Sequence, residues 1–102
     1  MDADGIWNGL IDTPIGKQKV LLELAATQST VSGTATHEGT RYPVDGTADG
    51  DRLRWKLLVK KPFAMTLSFD ITVAGDELSG KVKPGVYPAV NFTGERATDG
   101  TR

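Results

Sequence analysis

Hydrophobic residues recur along this chain at every second position, in short runs separated by glycine, proline, aspartate and asparagine. The clearest run sets Phe63, Met65, Leu67, Phe69, Ile71 and Val73 against Ala64, Thr66, Ser68, Asp70 and Thr72. A period of two is the repeat of a β-strand with one buried face. Before it, Leu53, Trp55, Leu57 and Val59 alternate with Arg54, Lys56, Leu58 and Lys60, and Lys60-Lys61-Pro62 joins the two runs as a hairpin. The same test predicts strands near 5–12, 17–25, 30–37, 41–48, 52–60, 63–74, 77–83 and 88–96. Their connections are short and carry turn chemistry, at Thr13-Pro14-Ile15-Gly16, Glu38-Gly39-Thr40, Asp49-Gly50-Asp51, Gly75-Asp76-Glu77 and Lys83-Pro84-Gly85. Consecutive strands therefore pair antiparallel, as an up-and-down meander.

The meander divides in two. Trp7 and Trp55, Pro14 and Pro62, and Gly46 and Gly94 are each 48 residues apart, and Val31-Ser32-Gly33 and Leu78-Ser79-Gly80 are 47 apart. Residues 1–102 thus read as one all-β domain made of two four-strand repeats, about 5–50 and 51–98. One such unit leaves an apolar face and two open edges, and closing two of them into an eight-stranded antiparallel barrel removes both liabilities.

A small meander that begins Gly5-Ile6-Trp7 and carries Arg96 in its last strand resembles the calycin superfamily of lipocalins, fatty-acid-binding proteins and avidins. Strands near eight residues long, and Val31-Ser32-Gly33-Thr34, are similar to the avidins within it. The resemblance implies that Trp7 closes one end of the barrel with Arg96 packed across its ring, a cation–π pair serving as a structural floor. It does not imply biotin, because avidins bring tryptophans to that ligand from later strands and none follows Trp55 here.

With Trp7 and Arg96 at the floor, odd strands run toward the mouth and even strands return. Parity then turns Trp7, Gly9 and Ile11 inward, as it does Val20, Leu22 and Leu24, Val31, Gly33, Ala35 and His37, and Tyr42, Val44, Gly46 and Ala48. His37, Tyr42, Phe63, Met65 and Tyr87 are expected around the mouth, with Arg41, Lys60, Lys17, Lys61 and Lys83 near the rim. Aromatic faces beside cations suit a small hydrophobic or aromatic ligand bearing an acidic group. Two other readings stay open: a small isomerase, lyase or cyclase using His37 and Tyr42 in the barrel cup, and a solid-core structural or oligomerisation module filled by Trp55, Leu57, Met65, Leu67, Phe69 and Phe92.

Chemistry is otherwise sparse. Asp45 and Asp70 fall on outward parity, so a glycosidase-like carboxylate pair lacks its second member. One histidine and no cysteine leave no metal site, and no nucleotide-binding glycine motif is present, so no cofactor is expected. The thin acid–base inventory favours binding over catalysis. Charged residues are spread along the chain and the formal net charge is -1, which gives no field of one sign to attract nucleic acid or an anionic membrane, so neither partner is expected. The absence of cysteine, the acidic start Met1-Asp2-Ala3-Asp4 and the lack of a long apolar segment lead to the expectation of a cytoplasmic protein. Ile6, Leu10 and Leu21 fall on the outward face of adjacent strands, where a patch of that kind leads to the expectation of a homodimer.

Overall fold

In a computed structural model describing residues 3–60 and 64–97, eight antiparallel strands close into an up-and-down barrel. They are β1 (Gly5–Thr13), β2 (Gly16–Ala26), β3 (Thr30–His37), β4 (Thr40–Asp49), β5 (Arg52–Val59), β6 (Met65–Ala74), β7 (Glu77–Pro84) and β8 (Val90–Arg96). Each strand pairs with its neighbour in sequence, and β8 returns to β1 with Trp7 opposite Arg96 and Ile11 opposite Phe92. β8 begins two residues later than the alternation alone predicts. Pro88 has no N–H to give a ladder, and pairing starts with Val90 opposite Val82. Phe63, expected to open the sixth strand, lies with Lys61 and Pro62 outside the described residues.

Local chemistry sets the turns. Between His37 and Thr40, Glu38 (φ 50°) and Gly39 (φ 81°) both take positive φ, the conformation of a two-residue hairpin whose twist matches that of its strands. At Gly33 the constraint is proximity. A Cβ there would stand 1.8 Å from the Glu23 carbonyl oxygen on β2, so the two strands meet at a distance only glycine permits.

The barrel is filled. Trp55 stacks on Phe69 with centroids 5.0 Å apart and 14° between planes, and Phe69 meets Phe92 edge-on at 5.9 Å. The Phe92 ring occupies the space that a side chain at position 9 would need, its Cζ lying 2.5 Å from an ideal Cβ on Gly9. Leu22, Val31, Leu53, Ile71, Leu78 and Val82 complete a core in which no buried polar or charged residue occurs among those described. Every one of these residues is on the inward parity of its strand.

One end of the barrel is sealed by the chain preceding β1. The buried Ala3 accepts a hydrogen bond from Trp7 Nε1 (2.9 Å), and Asp4 Oδ1 accepts one from the Ala26 N–H at the end of β2 (2.7 Å). The Arg96 guanidinium lies 4.2 Å from the centroid of the Trp7 ring and donates to the Asp4 carbonyl (2.6 Å) and to Asp76 Oδ1 (2.8 Å). No helix among the described residues is long and apolar enough to cross a membrane.

Candidate functional site

Alternating strand direction places the β1–β2, β3–β4, β5–β6 and β7–β8 connections at the end opposite Trp7. Here the inward side chains are only half covered. Gln18, His37, Tyr42, Met65, Leu67 and Val90 are all intermediate in exposure, whereas the next residues inward on their strands, such as Val20, Ala35, Val44, Phe69 and Phe92, are buried. The mouth is therefore a ring of half-covered side chains over the packed core, rather than the entrance to a deep interior.

His37 and Gln18 meet across β2 and β3. His37 Nε2 is 3.2 Å from Gln18 Oε1, a hydrogen bond in the tautomer that carries the proton on Nε2, and His37 Nδ1 is 3.9 Å from Glu38 Oε1. Gln18 was not among the residues expected here, although its parity with Val20, Leu22 and Leu24 turns it inward. A polar residue on that face at the strand's open end is the signal that identifies it. Tyr42 lies opposite Ala35, and Met65 opposite Val59, so these two expected residues share the mouth with His37.

Tyr87 sits apart from that ring. It is exposed on the β7–β8 connection, where its backbone N–H donates to the Pro84 carbonyl (2.9 Å). Arg41 and Lys60 are exposed at the mouth-side ends of β4 and β5, with Lys17 at the start of β2. Among the described residues no cluster of three or more His, Cys, Asp or Glu side chains could hold a metal ion.

The wall between β4 and β5 is incompletely laced. Their ladder runs only from Gly46 opposite Trp55 to Asp49 opposite Arg52, at the floor side. Toward the mouth, Arg41–Asp45 and Lys56–Val59 have no register partners across this seam. A concavity of about 580 Å³ lies over it on the outer surface, lined by Asp45, Thr47, Arg54, Lys56, Lys81 and Lys83 among others. A second outer concavity, of about 740 Å³, crosses β1, β2, β7 and β8 and includes Leu10, Lys19, Leu21, Glu77 and Glu95. Leu10 is partly covered within it, while Ile6 and Leu21 are exposed.

Comparison of the chain with protein-family models, with curated proteins and with solved structures returns no match.

Proposed function

We propose that this protein is a calycin-like binding module that takes a small hydrophobic or aromatic ligand end-on at its mouth, with an acidic group directed to the rim. The observation that carries this reading is the inequality of the two ends. Ala3, Trp7 and Arg96 close the floor, while half-buried Tyr42, Met65, Leu67 and Val90 leave apolar surface open to water at the other end. Covering such surface is favourable by about 25 cal/mol per Å². Arg41, Lys60 and Lys17 supply cations for an anionic head, and His37 and Gln18 supply hydrogen-bonding groups. Binding is favoured over proton transfer because His37 is engaged with Gln18. A cytoplasmic location, in keeping with the absence of cysteine, belongs to the same proposal.

Titration with 1-anilinonaphthalene-8-sulfonate, an aromatic anion of this type, tests the reading. Saturable fluorescence enhancement is expected, weakened about tenfold or more by Leu67→Lys and unchanged by Leu21→Lys. Absence of saturable binding, or equal binding by the Leu67 variant, would overturn it.

A second reading concerns assembly and rests on the larger outer concavity. A twofold interface brings one patch against its own copy and so needs self-complementary charge, and this surface pairs Leu10 and Leu21 with both Lys19 and Glu77 and Glu95. A homodimer through Ile6, Leu10 and Leu21 is the result. Sedimentation should give twice 10.9 kDa for the wild type and 10.9 kDa after Leu10→Lys plus Leu21→Lys. A wild type that sediments as a monomer at micromolar concentration refutes the interface.

A further inference from the structure

The formal net charge of -1 conceals a separation of charge along the barrel axis. At the floor end stand Asp4, Asp49, Asp51, Asp76, Glu77 and Glu95, with Arg52 and Arg96. At the mouth end stand Lys17, Lys19, Arg41, Lys60 and Lys83, against Asp12 and Glu38. None of the described lysines lies at the floor. The cationic end also carries the most exposed large apolar side chains of the described residues. Ile15 on the β1–β2 turn is 90% exposed and Val86 on the β7–β8 connection is 92% exposed, followed by Leu58 near the mouth-side end of β5 and by Tyr87 beside Val86, at 61% and 53%.

These connections are neighbours around the rim, because β8 pairs with β1. Lys17 follows Ile15 by two residues, and Lys83 Nζ donates to the Gly85 carbonyl (3.1 Å), which holds its ammonium beside Val86. Ile15 and Val86 thus stand exposed on adjacent connections beside Lys17 and Lys83. A yielding surface that carries negative charge complements both the tips and the ammonium groups.

We propose that the mouth end docks onto an anionic phospholipid surface, with Ile15 and Val86 inserted among the headgroups, Tyr87 at the interface and Lys17, Lys60 and Lys83 against the phosphates. Apolar insertion and lysine attraction are the two contributions that peripheral attachment combines, and tyrosine is favoured at that depth. Nucleic acid fits less well. Single-strand binding stacks successive bases on several aromatic platforms and duplex binding favours arginine forks, whereas the most exposed tips here, Ile15 and Val86, are aliphatic, and Arg41 is the one arginine among the described residues at this end. The inference goes beyond ligand binding and does not depend on it: the inserted tips Ile15 and Val86 lie outside the inward ring, and only the rim cations Lys17 and Lys60 are common to the two.

Flotation with vesicles of phosphatidylcholine, alone and mixed with phosphatidylglycerol, tests it. The protein should float with the mixed vesicles, remain behind with the neutral ones, and be released as sodium chloride is raised. Ile15→Ser plus Val86→Ser should reduce flotation about tenfold or more. Lys17→Gln plus Lys83→Gln should reduce the dependence on phosphatidylglycerol. These positions are exposed, and unchanged thermal melts would show that the variants fold. Lys56→Gln plus Lys81→Gln, exposed on the outer wall away from the mouth, should float as the wild type does. Failure of the wild type to float with mixed vesicles, equal flotation with neutral ones, or loss of flotation only in the Lys56 and Lys81 variant would each overturn the proposal.

Discussion

Trp7 and Trp55 are both buried, yet their indole N–H groups meet different fates. Trp7 Nε1 donates to the Ala3 carbonyl, whereas Trp55 Nε1 is buried with no hydrogen-bond partner. A buried donor left unpaired costs about 1–3 kcal/mol, a penalty that Trp55→Phe removes while sacrificing part of the stack on Phe69. The two effects oppose each other, so Trp55→Phe should stay within about 1 kcal/mol of the wild type in urea denaturation. Trp7→Phe loses both a satisfied hydrogen bond and the ring beneath Arg96, and should cost about 2–3 kcal/mol. Acidity acts at this scale too. Hydrogen bonding from Arg52 holds the Asp70 carboxyl below its ordinary value of 3.8, and the Ala26 N–H does the same for Asp4. A carboxylate with a depressed folded-state pKa stabilises the fold above that ordinary value and loses its contribution as pH falls below it. The melting temperature should therefore drop below about pH 4, with a shallower slope in Asp70→Asn. A variant slope identical to that of the wild type would show that the exposed pair contributes nothing measurable.

Among the elements, the strap before β1 and the end of β8 depend on each other through Arg96. Arg96→Ala removes the stacking over Trp7 and the donors to Asp4 and Asp76, and should destabilise by about 1–3 kcal/mol in thermal or urea unfolding. A change below about 0.5 kcal/mol would mean that Trp7 and Ala3 seal the floor unaided. Much of this architecture was legible in the sequence. Strict alternation, as in Leu53, Trp55 and Leu57, marks a strand and its inner face together, because a shift of one residue would turn the whole set outward. Strand ends were less legible, since Pro88 matches the alternation but cannot donate to a ladder. The mouth was legible as a level in the barrel, reached by counting along each strand, and this brought His37, Tyr42 and Met65 to one end. Gln18 escaped notice because its polarity resembles that of a surface residue until its parity is counted. The sorting of charge was hidden as well. Residues far apart in the chain, such as Lys17 and Lys83, become neighbours only after the barrel closes.

At the scale of the molecule, the ladders within β1–β4 repeat within β5–β8. Trp7 faces Leu22 as Trp55 faces Phe69, Leu24 faces Gly33 as Ile71 faces Gly80, and Val31 faces Gly46 as Leu78 faces Gly94. The two seams joining these groups are not equivalent. Gly46 faces Trp55 at one, while Gly94 faces Gly9 at the other. In hydrogen exchange, amides of Arg41–Asp45 and Lys56–Val59 directed across the open part of the β4–β5 seam should lose protection before those of the fully paired β1–β2 hairpin. Equal protection would indicate that the seam is closed in solution.

The short lacing between β4 and β5 also bears on how two chains could exchange parts. If the bend at Asp49-Gly50-Asp51 straightened, the first four strands of one molecule could close against the last four of another. Both composite barrels would regain the native pairings, at the cost of opening the two seams that join the halves, β4–β5 and β8–β1, whose ladders are the shortest in the barrel. Two chains damaged in opposite halves could then assemble one wholly intact barrel between them, and that exchange would join two molecules without creating a new interface.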